Sequence, residues 1–88
     1  MALKRIDPIT SHTGDGWYAR KTGHTVWLTL NNANSPVALP EELRPSGNGR
    51  MVVVDSKGAT ARAIVNNNDS SIYWDSLKDV YGTITYLT

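Results

Sequence analysis

Apolar and polar positions alternate with a period of two through most of this chain. In residues 24–31, Val26, Leu28 and Leu30 alternate with Thr25, Trp27 and Thr29, as in a strand with one buried face. The aliphatic face is expected in the core, and the opposite face carries threonines around a tryptophan. Residues 17–21 form the strand before it, and Lys21-Thr22-Gly23-His24 is a short glycine-bearing turn that closes the hairpin. Residues 50–55 and 59–66 make a second pair, joined by Asp55-Ser56-Lys57-Gly58, where the glycine supplies the positive φ of a tight turn. After the turn Asn66-Asn67-Asn68-Asp69, residues 71–76 and 81–88 are the last two strands. Trp17 shares a face with Ala19, and Trp74 shares one with Ile72, so both indoles are expected in the core.

Helical spacing is confined to residues 39–44, where Pro36, Pro40 and Pro45 leave room for one turn at most. The polar, proline-bearing stretch 31–49 around it is long for a loop in a small domain, which implies order through its own packing or a functional role. Residues 1–14 read as an entry strand or linker from something upstream, and residues 15–88 as a single β domain. Six to seven short strands with turn signals about every ten residues predict an all-β fold, a small antiparallel sandwich or barrel.

Composition agrees with strands. Val, Ile, Thr, Tyr and Trp, the residues that suit a pleated and half-buried surface, supply 28 of the 88 residues. A chain of this length buries roughly 64% of its unfolded surface, which makes a modest core. With no cysteine to add a disulfide, oligomerisation is the expected supplement.

Nine basic and eight acidic residues leave a net charge of +1, spread over both halves of the chain. Nucleic acid is not expected as a partner, because phosphate binding needs a concentrated basic footprint. Membrane insertion is not expected either, since the longest apolar run is Met51-Val52-Val53-Val54.

Catalytic and cofactor chemistry find no pattern in these residues. His12 and His24 are the only histidines, and no nucleophile-elbow sequence surrounds a serine. No pair of carboxylates stands out for glycoside hydrolysis, and the turn 66–69 lacks the alternating acids of a calcium loop. The expectation is a non-enzymatic protein without metal or cofactor.

The order of the segments carries a resemblance. A Trp-bearing strand is followed by Tyr18-Ala19-Arg20-Lys21-Thr22-Gly23-His24-Thr25-Val26-Trp27-Leu28, by Leu39-Pro40-Glu41-Glu42-Leu43-Arg44-Pro45, and by Val52-Val53-Val54-Asp55-Ser56-Lys57-Gly58. Gly82-Thr83-Ile84-Thr85-Tyr86-Leu87-Thr88 closes the chain. Over residues 15–88 this resembles the C-terminal head domain of phage tail fibre and receptor-binding (baseplate) proteins. Those heads often show a YRK-x-G-x-x-V hairpin, an LP-x-x-x-RP loop and a closing C-terminal strand. Glu42-Leu43 stands where the pattern often has Gly-Tyr or Gly-Phe. The resemblance implies a homotrimer at a tail tip or baseplate that meets other tail proteins and attaches to a saccharide on the bacterial surface.

A sugar presents apolar C–H faces ringed by hydroxyls, so a protein meets it with an aromatic platform beside hydrogen-bonding groups. Tyr73 and Asp75 are the first candidates, placed on one face of the strand 71–76 with the turn 66–69 near in sequence. Trp27 faces away from the aliphatic positions of its strand, which fits either a trimer interface or a stacked sugar. Arg62, between Ala61 and Ala63, points away from the alanine face and fits either an anionic ligand group or an ion pair. Two other readings stand beside the receptor-binding head. They are a structural trimerisation and assembly module of the same apparatus, and a carbohydrate-binding module of a secreted enzyme.

Overall fold

The computed structural model describes residues 9–88, in which the alternating segments become strands of one antiparallel sheet. The strands are β1 (Ile9–Gly14), β2 (Trp17–Thr22), β3 (Thr25–Ala33), β4 (Val37–Ala38), β5 (Gly49–Val54), β6 (Thr60–Asn66), β7 (Ser71–Tyr73) and β8 (Val80–Leu87). One 3-10 turn, Glu41–Leu43, occupies the segment between the prolines. The sheet order is β1-β2-β3-β8-β5-β6-β7-β4. The all-β antiparallel class is as expected, with two corrections. Eight strands form instead of six or seven, and of the two expected architectures the sandwich is set aside, because the strands make one sheet that curls only as far as a half-barrel.

The extra strands have local causes. Of the expected entry segment, residues 1–8 lie outside the described residues, and 9–14 pair with β2 in unbroken register from Ile9 opposite Thr22 to Gly14 opposite Trp17. The two-residue β4 is held by Ile72 and Ser71 of β7. Curling follows from strand twist together with an irregularity in β3, where the pairing with β8 shifts between Asn31 and Ala33 and Asn32 takes φ 58°.

The buried face of the sheet forms one core, a cluster that joins Trp17, Val26, Leu28, Leu30, Val53, Val65, Ile72, Trp74 and Val80. The predicted faces are those observed. Val26, Leu28 and Leu30 are buried while Trp27 is 46% exposed, and both Trp17 and Trp74 are buried. Gly58 has φ 88°, and the Asp55 carboxylate accepts from the backbone N–H groups of Lys57 and Ala59, each at 2.9 Å.

The long middle segment is ordered by packing. Leu43 is fully buried and belongs to the core cluster. The Arg44 guanidinium donates to the carbonyls of Asn67 and Asn68 at 2.6 and 2.9 Å and to Glu41 Oε1 at 2.9 Å. The hydrogen bond to Glu41 holds this guanidinium above its ordinary range.

Candidate binding cleft

The last strand of the β5-β6-β7 meander stops at Tyr73, because the backbone N–H of Trp74 turns to a side chain instead of a neighbouring strand. The Trp74 N–H donates to Ser35 Oγ at 3.0 Å and its indole N–H donates to the Leu77 carbonyl at 3.0 Å. The Leu77 N–H in turn donates to the Asp75 carbonyl at 3.0 Å. Residues 74–79 therefore fold as a tight loop, with Ser76 and Asp79 at φ 75° and 54°.

A second tether holds this loop to the segment after β3. The Asn34 side-chain amide donates to Asp79 Oδ1 at 3.1 Å, and the Asp79 backbone N–H donates to Asn34 Oδ1 at 3.1 Å. This reciprocal pair fixes residues 34–35 beside residues 73–79. Between them opens a cleft of about 760 Å³, lined by Tyr73, Asp75, Ser76, Lys78, Asn34 and Ser35, with Trp74, Leu77 and Asp79 completing the wall.

Tyr73 is 45% exposed at the rim. The Asp75 carboxylate is exposed and makes no hydrogen bond or ion pair with another described residue. The cleft thus offers one exposed aromatic ring, one unengaged carboxylate, an amine and hydroxyls beside a tethered loop. That set suits a polyhydroxylated ligand, with the ring against its apolar face and the polar groups at its hydroxyls.

Tyr73 and Asp75 are brought together, but not as residues of one strand. Asp75 lies two residues beyond the end of β7, and it reaches the cleft through the loop. The turn 66–69 is not part of this cleft, since it sits at the other end of β7, where Asn66 pairs with Ser71. Asn34, Ser35, Lys78 and Asp79 were not singled out in the sequence. The only signal for the first two was the polar character of residues 31–49, and nothing local linked Asn34 to Asp79.

Arg62 and Trp27 stand elsewhere on the outward face. Arg62 is paired in register with Val52, and with Arg50, Met51 and Val52 it borders a depression of about 200 Å³. Trp27 lies between Arg20 on β2 and Thr85 on β8. Near it, Tyr18, Thr29, Tyr81 and Thr83 help to line a shallow groove of about 370 Å³. Neither residue contributes to the cleft at Tyr73. No protein-family model matches the chain, and no curated protein matches it.

Proposed function

We propose that this chain is a non-catalytic head domain of a phage tail fibre or receptor-binding protein, which attaches the virion to a saccharide on the bacterial surface. The observation that carries the reading is the rigid cleft at the end of β7, where the exposed Tyr73 ring stands beside the unengaged Asp75 carboxylate. The order of the hairpin, the Leu-Pro loop and the closing strand, which resembles such heads, supports the same reading. In this reading the domain acts at a tail tip or baseplate, as a homotrimer alongside other tail proteins. A single open site of this size holds a sugar weakly, and three sites on one shaft gain through effective concentration.

One observation favours a second reading, an assembly module that trimerises without binding glycan. Trp27 keeps 46% of its surface exposed on an outward face that also carries Tyr18 at 47% and Tyr81 at 39%. Several exposed aromatic side chains on one sheet face are a common mark of an interface.

The test is binding of the labelled full chain to a panel of bacterial cell walls, with the solution mass measured on the same sample. Selective binding that is lost in Tyr73→Ala and in Asp75→Ala, with the fold intact, is expected. Undiminished binding by both variants would remove the cleft from the reading. A trimer that binds no wall would favour the assembly module, and a wall-binding monomer would favour a carbohydrate-binding module.

A further inference from the structure

The net charge of +1 conceals a segregation of charge that the fold creates. Every Asp and Glu among the described residues lies in a turn, a loop or the 3-10 segment, and no described strand carries a carboxylate. The outward face of the sheet carries Arg20, Arg50 and Arg62, all exposed, with no acid among them. An apparently neutral chain thus presents one sheet face whose described charges are all cationic.

Two of these arginines converge. On β5 and β6, Val52 faces Arg62 and Arg50 faces Ile64, so the two guanidinium groups are diagonal neighbours on one face. Together with Met51 and Val52 they line a depression of about 200 Å³. Neither makes an ion pair or hydrogen bond with another described residue. Two other cations among the described residues are engaged, Arg44 with Glu41 and two carbonyls, and Lys21 with the Glu42 carbonyl. Like charges on adjacent strands repel, and here no described carboxylate offsets them.

We infer that Arg50 and Arg62 form a second binding site, which takes an oxyanion group, carboxylate, phosphate or sulfate, carried on an extended saccharide. The planar guanidinium fork matches such oxyanions in two parallel hydrogen bonds, and the exposed Val52 beside it offers an apolar contact for the ring that bears the anion. The pairing register extends this site toward the cleft, because Arg50 faces Ile64 and Ile64 faces Tyr73. Two strand spacings, roughly 10 Å, separate Arg50 from Tyr73 on the same face. One acidic oligosaccharide therefore reaches both sites. The inference rests on the saccharide reading for the carrier, while the anion site stands on the arginines themselves. Nucleic acid fits less well, because three arginines spread over the face neutralise few phosphates.

The experiment is affinity electrophoresis of the full chain through polygalacturonate and through the same polymer methyl-esterified, with inorganic phosphate and a single-stranded oligonucleotide as further probes. Polygalacturonate is expected to retard the chain in a salt-dependent way. Arg50→Gln/Arg62→Gln is expected to weaken that binding by about tenfold or more, with an unchanged melting temperature. Arg50→Lys/Arg62→Lys is expected to retain part of it. Equal retardation of the wild type and the Gln double variant would overturn the anion site, and if the methyl ester also binds, the saccharide reading survives that loss. Phosphate binding at the arginines without binding of either polymer would overturn the saccharide carrier. Tighter binding of the oligonucleotide would assign the face to nucleic acid. A fall in solution mass on the Gln substitutions would assign the pair to self-association.

Discussion

The Tyr86 hydroxyl on β8 donates a 2.7 Å hydrogen bond to the backbone carbonyl of Leu43 in the 3-10 turn, and so ties the closing strand to the middle segment of the chain. Burial disfavours the phenolate and pushes the Tyr86 phenol up to about 12 from the ordinary 10.0. The folded state therefore holds this proton more tightly than the unfolded state does. Stability from this source is intact below pH 10.0 and is lost as pH rises towards about 12. The loss is expected to be about 1–2 kcal/mol after allowance for solvent screening of a half-buried group. Urea unfolding between pH 9 and 12 checks it. Tyr86→Phe is expected to flatten that alkaline fall and to cost about 1 kcal/mol at neutral pH.

Leu43 is fully buried although it sits in a three-residue turn. Leu43→Ala is expected to destabilise the fold by about 2–5 kcal/mol, the usual cost of a leucine-sized cavity in a packed core. A drop in denaturant midpoint with an unchanged slope would match this. A change within about 0.5 kcal/mol would show that the middle segment does not pack into the core.

Gly16, in the β1–β2 turn, combines φ 81° with a close approach to the neighbouring strand. An added Cβ would fall 2.8 Å from the Ala33 Cα and 3.2 Å from the Asn32 carbonyl oxygen. Gly16→Ala is expected to cost about 1–3 kcal/mol, because both the backbone conformation and the space oppose it. Thermal unfolding beside Gly58→Ala, where the φ is similar but the space is open, separates the two contributions.

Asn34 is a positioning residue of the cleft. Asn34→Ala removes both hydrogen bonds to Asp79 and frees the loop that carries Asp75. Wall binding is expected to weaken several-fold, while stability falls by only about 1 kcal/mol because these bonds are exposed. Asn34→Asp keeps the acceptor for the Asp79 N–H but sets two carboxylates side by side. Its binding is expected to fall below that of Asn34→Ala, because the two like charges push the loop away from residues 34–35 beyond what the missing hydrogen bonds alone would do.

Trp27→Ala leaves the core untouched. On the assembly reading it is expected to lower the sedimentation mass at micromolar concentration. A mass that does not change on dilution would count against an interface on this face.

Most strand positions and their faces were legible in the sequence, because side-chain alternation is a local property of the strand. Val26, Leu28 and Leu30 could only point one way once Trp27 and the threonines pointed the other, and Gly58 marked its turn by conformational need. Asp75 was misplaced on a strand because its alternation with Tyr73 continues past the point where the Trp74 backbone N–H leaves the strand ladder for the Ser35 hydroxyl. That stop depends on a partner distant in sequence, which no local pattern carries.

By itself the sequence determined the β class, the turns, the buried faces and the identity of Tyr73, Asp75, Arg62 and Trp27 as outward polar or aromatic groups. Only the tertiary structure decided that β8 lies between β3 and β5, that the sheet is single and curled, and that Asn34 meets Asp79. It also decided that Arg50 joins Arg62 on a face without carboxylates. The physical reason is range. Alternation and turn chemistry act within a few residues, whereas strand order, register between distant strands and the grouping of charges follow from burying one shared core.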